Sequence, residues 1–145
     1  MYKTILSQSA PDVPVDVQTF AKSDDRTRLS PVALRAFRAL ADRWSLSNGE
    51  AAALLGVSES TWDRAKKGTW DQALSQDQLT RASAAIGIYK GLHLLLADTM
   101  ADRWPKLVNS GPIFQRRSPV EAMIEGGIPT MLDTRQYIDA VRGGM

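Results

Sequence analysis

Cysteine is absent from this 145-residue chain, and histidine occurs once, as His93. Without a thiol there is no disulfide framework, no thiolate metal site and no cysteine nucleophile. One imidazole leaves no Ser-His or multi-histidine zinc constellation to assemble within one chain. Long apolar runs are also missing. The longest, residues 84–97, is interrupted by Lys90 and His93, so no segment reads as a membrane span. The N-terminal MYKTILSQSAPDVP has no basic region followed by an apolar core, and no secretory signal is read there. No strand signal is strong anywhere, and no internal repeat is found. What is present, 43% hydrophobic and 23% charged residues, is the balance of a soluble globular protein of one ordinary domain or two small ones. The expectation is a cytoplasmic, helical binding protein, neither an enzyme nor a user of cofactors.

The net charge of +2 is unevenly spread. Residues 1–25 carry two lysines against four aspartates, residues 26–70 carry eight Lys/Arg against four Asp/Glu, and residues 71–145 carry eight of each. The basic excess of the middle segment is where a nucleic-acid contact is expected, although a solvated surface also accounts for it.

Residues 1–28 read as a flexible arm containing Pro11 and Pro14, with a short helix around Val15–Lys22. A first firm helix is expected from Ser30 as N-cap with Pro31 in its first turn, where the missing N–H costs nothing. Leu34, Phe37, Leu40, Ala41 and Trp44 recur along it at three- and four-residue steps. Ser47 followed by Glu50 is a capping box that opens a helix over 48–55, ended by Gly56. Ser58 caps another to about Lys67, stopped by Gly68, and 70–75 reads as a linker. A long helix over 76–97 carries one apolar stripe of Leu79, Ala82, Ile86, Tyr89 and Leu96. A second stripe consists of Ala85, Ile88, Leu92 and Leu95. Two adjacent apolar faces mark the centre of a domain or a subunit interface, which makes a homodimer the expectation. Gly87 and Gly91 within that helix mark a close helix approach. A loop-rich stretch follows, then a short helix over 119–125, a turn at Gly126-Gly127, and a last helix from Pro129 to Gly143-Gly144.

Residues 48–68, NGEAAALLGVSESTWDRAKKG, fit a helix-turn-helix. Ala52 is small where the second helix crosses, Gly56 makes the turn, and Val57, Trp62 and Ala65 point inward. Ser58, Ser60, Thr61, Arg64, Lys66 and Lys67 are then available to DNA. The second helix enters the major groove by its N-terminal end, Arg64 reaches a guanine edge, and Lys66 and Lys67 pair with phosphates. Glu59 and Asp63 place negative charge on the same helix, and Trp62 is bulky for its position. A structural three-helix bundle with a basic face is the alternative. His93 reads as an ordinary helix residue, since no metal partner or base lies at helical spacing from it. Asp98 and Asp102 read as solvated, with Arg103 nearby, and Trp44, Trp62, Trp70 and Trp104 read as core.

The second half carries four separated segments: RASAAIGIYKGLHLLL, ADRWPKLVNSGPIF, RRSPVEAMIEGG and TRQYIDAVRGGM. With the preceding helix-turn-helix, these resemble the Xre/MbcA/ParS antitoxins of type II toxin–antitoxin modules, over about residues 29–145. The resemblance implies an all-α fold: a helix-turn-helix DNA-binding domain over 29–70, then a helical toxin-binding and dimerisation domain over 71–145. It implies a RES-domain toxin partner that degrades NAD, and repression of the module's own promoter through operator DNA. Arg81, Tyr89, Leu92, Trp104, Pro112, Phe114, Ser118 and Pro119 occupy family-like architectural positions. Arg135, Tyr137, Arg142, Gly143, Gly144 and Met145 match the part that approaches the toxin's active-site cleft. A tail ending in flexible glycines suits a cleft, and Arg142 suits a region shaped for the anionic groups of NAD. A stand-alone helix-turn-helix repressor without a toxin is the alternative.

Overall fold

The first helix, α1, spans Ser23–Arg43. Its N-cap is Lys22, not the expected Ser30, and the described residues before it, 17–22, are not helical. The computed structural model describes residues 17–144, so the rest of the expected arm, residues 1–16, lies outside it. Asp24 and Asp25 sit at the positive end of the helix dipole. The Arg26 guanidinium donates to the Phe20 and Ala21 carbonyls at 2.9 and 2.7 Å, tying down the entering chain. Pro31 therefore lies inside the helix, where it supplies no donor to the Thr27 carbonyl. Ser30, read as a cap, instead fastens the helix interior to the later chain. Its buried hydroxyl donates to the Arg26 carbonyl at 2.5 Å and accepts from the Leu74 N–H at 2.8 Å.

Beyond α1 the sequence signals hold closely. α2 is Asn48–Leu55, opened by the Ser47–Glu50 capping box and ended by Gly56 at φ 79°. α3 is Glu59–Lys67, capped by Ser58 and ended by Gly68. α4, Gln76–Leu95, opens with a second capping box, Ser75–Gln78, and stops two residues short of the expected end. The short α5, Asp98–Arg103, runs into a 3₁₀ turn, Trp104–Lys106. Pro119–Gly143 forms α6, opened by a third capping box, Ser118–Glu121, and broken at Gly127 (φ 70°, ψ −153°). The expected short helix, glycine turn and last helix are thus its two arms. The fold is all-α; among the described residues the only β pairing is an isolated bridge between Asn109 and Arg117.

α4 is the centre of the molecule. Leu79, Ala82, Ala84, Ala85, Ile88, Gly91 and Leu92 are buried, and α4 packs on α1, α2, α5 and α6 at once. The chain itself buries Leu79, Ala82, Ala85, Ile88 and Leu92 of the two stripes, while Ile86, Tyr89, Leu95 and Leu96 stay half-buried. One core runs from Phe37, Trp44, Leu54 and Trp62 through Ala85, Ile88 and Leu92 to Met123, Met131 and Ile138. Trp44 and Trp62 belong to it, whereas Trp70 and Trp104 are only half-buried against it. Gly87 and Gly91 are where α6 lies on α4: a Cβ on Gly91 would come 2.6 Å from Ile138 Cγ2, and one on Gly87 would collide with the Arg135 guanidinium. The expected close approach is therefore present.

Candidate nucleic-acid interface and C-terminal surface

The α2–turn–α3 unit is fixed from beneath. The Ala52 carbonyl accepts the N–H groups of Gly56 at 2.8 Å and Val57 at 3.0 Å, closing the turn. Arg81 of α4 lies across it, with its Cδ and Nε 3.0 Å from where a Gly56 side chain would begin and a long hydrogen bond to the Ala53 carbonyl. Trp62 and Ala65 point inward, and the Trp62 ring meets Phe37 edge-on, centroids 5.6 Å apart. Arg38 of α1 donates to the Ala65 carbonyl at 2.8 Å, satisfying the C-terminal end of α3.

The opposite face of α3 is open. Ser58, Ser60, Arg64, Lys66 and Lys67 are exposed and Thr61 is half-buried, but the six do not share one face: Lys66 lies on the α1 side of the helix, beside Arg38, Asp42 and Trp62. Several are already engaged. Ser58 Oγ accepts the Thr61 N–H at 3.1 Å as the helix cap, and lies 3.2 Å from Ser60 Oγ. Arg64 donates to Thr61 Oγ1 at 3.2 Å. Lys66 donates to Asn48 Oδ1 at 2.7 Å, and Lys67 pairs with Asp63 at 3.0 Å. These are exposed contacts, each worth less than about 1 kcal/mol, so a phosphate competes for either lysine at small cost.

The C-terminal residues fall into two sets. Arg135 is half-buried over Gly87, donates to the Ser83 carbonyl at 3.3 Å, and borders a groove of about 400 Å³ with Val17, Thr80 and Leu132. Tyr137 packs its ring edge-on to the buried Phe114, which itself meets Trp104 edge-on. Arg142 and Gly143 are helical, and Arg142 pairs with Asp139 at 3.3 Å. The expected flexible glycine tail is therefore helix up to Gly143, because α6 continues without a breaker once past Gly127; Gly144 is its C-cap and Met145 lies outside the described residues.

His93 departs most from its sequence reading. Its Nδ1 lies 2.9 Å from Asp98 Oδ1 and its Nε2 2.7 Å from Asp102 Oδ1, while its ring stacks on Tyr89 at 4.3 Å. Arg43 closes the cluster, donating to Tyr89 Oη at 3.2 Å and lying 3.8 Å from Asp102 Oδ2. Burial works against a charged ring, but the hydrogen bonds to the two carboxylates outweigh it and raise the His93 pKa above its ordinary value. Asp102 is thus engaged rather than solvated, and its cation is Arg43 rather than Arg103. The partners lie five and nine residues on, outside helical spacing, because the chain turns between α4 and α5. Lys106 makes a second link nearby, donating to the Ser45 carbonyl at 3.0 Å and to Glu50 at 3.1 Å. Burial raises the Glu50 pKa, but the Ser47 N–H and Lys106 hold it below its ordinary value.

Residues 23–87 match the antitoxin Xre-like helix-turn-helix domain, which takes in α1 to most of α4. The uncharacterized protein y4oB of Sinorhizobium fredii is 35% identical over 130 residues, covering 88% of this chain and 97% of that one. The chain is thus a relative of y4oB along most of its length and carries an antitoxin Xre-like helix-turn-helix domain over residues 23–87. No solved structure gives a significant match. The matched region begins at the observed start of α1. No described helix is long and apolar enough to cross a membrane.

Proposed function

We propose that this protein is an antitoxin that neutralises a RES-domain, NAD-degrading toxin through its C-terminal half, acts as a homodimer in the cytoplasm, and represses its own operon by binding operator DNA through α3. The observation that carries the toxin half of this reading is the outer face of α6. It leaves Tyr137 and Val141, one helical turn apart, partly exposed with Arg142 next in the chain, on a helix otherwise held by the core. Exposed apolar groups flanked by a cation suit a protein partner rather than solvent. Inhibition is then steric: the helix end covers the toxin's NAD site, and no residue of this chain does chemistry. The DNA half is supported by the open face of α3 and the helix-turn-helix beneath it.

The test is co-expression of the tagged chain with the neighbouring reading frame, followed by mass measurement of the eluted complex and assay of the released partner for NAD degradation. A stoichiometric NAD-degrading partner is expected; a lone protein that still shifts its promoter DNA leaves a stand-alone repressor. Among the described residues, truncation after Asp139 removes only exposed ones, since Ile138 is the last buried side chain there. It is expected to weaken inhibition with an unchanged circular dichroism spectrum. Full neutralisation by the truncated chain would remove the C-terminal end from the mechanism.

A further inference from the structure

Glu59 is the first residue of α3 and, among the described residues, has no cationic partner, whereas Asp63 one turn later is neutralised by Lys67. Its carboxylate stands beside the first turn of α2, with Oε2 3.6 Å from where a Gly49 side chain would begin. It is exposed at the mouth between the two helices of the motif, one turn before the buried Trp62 and at the α2-facing edge of α3. The end of α3 that leads into a groove is therefore headed by a free negative charge, followed by Ser60 and, one turn further, by Arg64. A carboxylate at this place repels phosphates, so it is compatible with DNA only where a base offers it a donor.

We propose that Glu59 is a base-specificity residue that accepts a hydrogen bond from the exocyclic amine of a cytosine. This rests on the operator-binding reading given above. Two bases present donors in the major groove, cytosine through N4 and adenine through N6. Adenine sets its N7 acceptor beside that donor, so a carboxylate there faces a lone pair; cytosine does not. Glutamate, an acceptor without a donor, selects cytosine for that reason. Glutamine, with one of each, matches adenine. Arg64 supplies the complementary preference: its five donors match the O6 and N7 of guanine, and its only described side-chain partner is the Thr61 hydroxyl. The preferred half-site then contains a cytosine and a guanine read by one helix. Lys66 and Lys67 add affinity without sequence.

The experiment is selection from a randomised duplex library by the full chain, alone and in the complex in which it co-purifies, at one fixed salt concentration. The wild type, Glu59→Gln and Glu59→Ala are compared. The wild type is expected to prefer cytosine at one position of each half-site by roughly ten-fold. Glu59→Gln is expected to switch that position to adenine, and Glu59→Ala to lose the preference, with the remaining positions unchanged. Circular dichroism and melting of both variants should match the wild type, because the side chain is exposed. A uniform gain in affinity across all sequences would mean that Glu59 only repels phosphate, and would overturn the inference while leaving operator binding intact. Retention of cytosine by Glu59→Gln overturns it likewise. Failure of the wild type to enrich any sequence removes the operator reading, and this inference with it.

Discussion

A methyl group added at Gly91 should destabilise the protein in one background and stabilise it in another. In α4 the ideal Cβ at this position lies 2.6 Å from Ile138 Cγ2, about 1 Å inside ordinary carbon–carbon contact. The methyl it meets belongs to a buried β-branched side chain with little rotamer freedom. Overpacking of this kind costs about 1–3 kcal/mol. Against it, replacing a mid-helix glycine by alanine gains about 1 kcal/mol in helix propensity. Gly91→Ala is therefore expected to lose about 1 kcal/mol, a Tm lower by about 3 °C for a chain of this size. Ile138→Ala on its own loses about 2–4 kcal/mol as a buried large-to-small change. In that variant the obstructing methyl is gone and only the propensity gain remains, so adding Gly91→Ala should stabilise by about 1 kcal/mol. The double-mutant cycle then shows a coupling of about 2 kcal/mol. Urea titrations with coincident fluorescence and circular dichroism transitions would measure all four corners. An equal cost in both backgrounds would show that the loss does not come from this contact. A gain in the wild-type background would refute the close approach itself.

Three further outcomes are expected. His93 is stabilised in its charged form by Asp98 and Asp102, so its contribution is complete below its unfolded pKa of about 6.5 and is lost as pH rises through the higher folded value. The thermal advantage of wild type over His93→Gln should accordingly be full below about pH 6 and shrink as the pH rises through the raised folded value, and a constant difference would contradict the clamp. Ser118→Ala removes the capping box of α6 and should cost about 1–2 kcal/mol in urea titration while leaving DNA affinity unchanged. Lys106→Met takes a hydrogen bond from both the Ser45 carbonyl and Glu50; the Glu50 carboxyl should then titrate closer to its ordinary 4.5 by NMR, and an unmoved titration would exclude the contact.

Helix boundaries set by side chain-to-backbone contacts a few residues apart were legible: the Ser47–Glu50 capping box, the Ser58 cap and the glycines at 56, 68 and 127 each stand where the chain turns, whereas the Ser75–Gln78 and Ser118–Glu121 boxes emerge from the structure. α1 was misread because Ser30-Pro31 has the local form of a helix start. A long-range bond from Ser30 to Leu74 and the anchoring of the entering chain by Arg26 outweigh that signal, and neither is visible in a window of ten residues. The apolar stripes of α4 were correctly located, but periodicity says only that a face is covered and not by what. Here α1, α2, α5 and α6 of the same chain cover the Leu79, Ala82, Ala85, Ile88 and Leu92 positions and leave Ile86, Tyr89, Leu95 and Leu96 half-buried. For the candidate site, the spacing that places Trp62 and Ala65 inside also places Ser60, Arg64 and Lys67 outside, so one pattern supplied both. The His93 cluster was invisible because its partners follow a change of direction between α4 and α5. Glu59 was visible as a charge but read only as an obstacle to DNA.

The helix-turn-helix and the C-terminal half meet through contacts of two kinds, and they do different work. The apolar core shared by Trp62, Ile88 and Ile138 supplies most of the burial, yet close-packed apolar faces tolerate changes of residue that keep volume. Directional links set the register across the same boundary. Arg81 lies under the Gly56 turn, Lys106 grips the Ser45 carbonyl and Glu50, and Arg43 reaches Tyr89 and Asp102. Ser45 has a left-handed backbone at φ 56°, a conformation that costs a non-glycine residue about 1 kcal/mol and persists because its surroundings hold it. Each of these links fixes an end of a helix in the DNA-facing unit to α4, α5 or the turn that follows. The orientation of α3 is thus set by residues far along the chain. A helix-turn-helix cut out at residue 70 would keep its capping signals and lose both the helix it rests on and the cations that fix its turns.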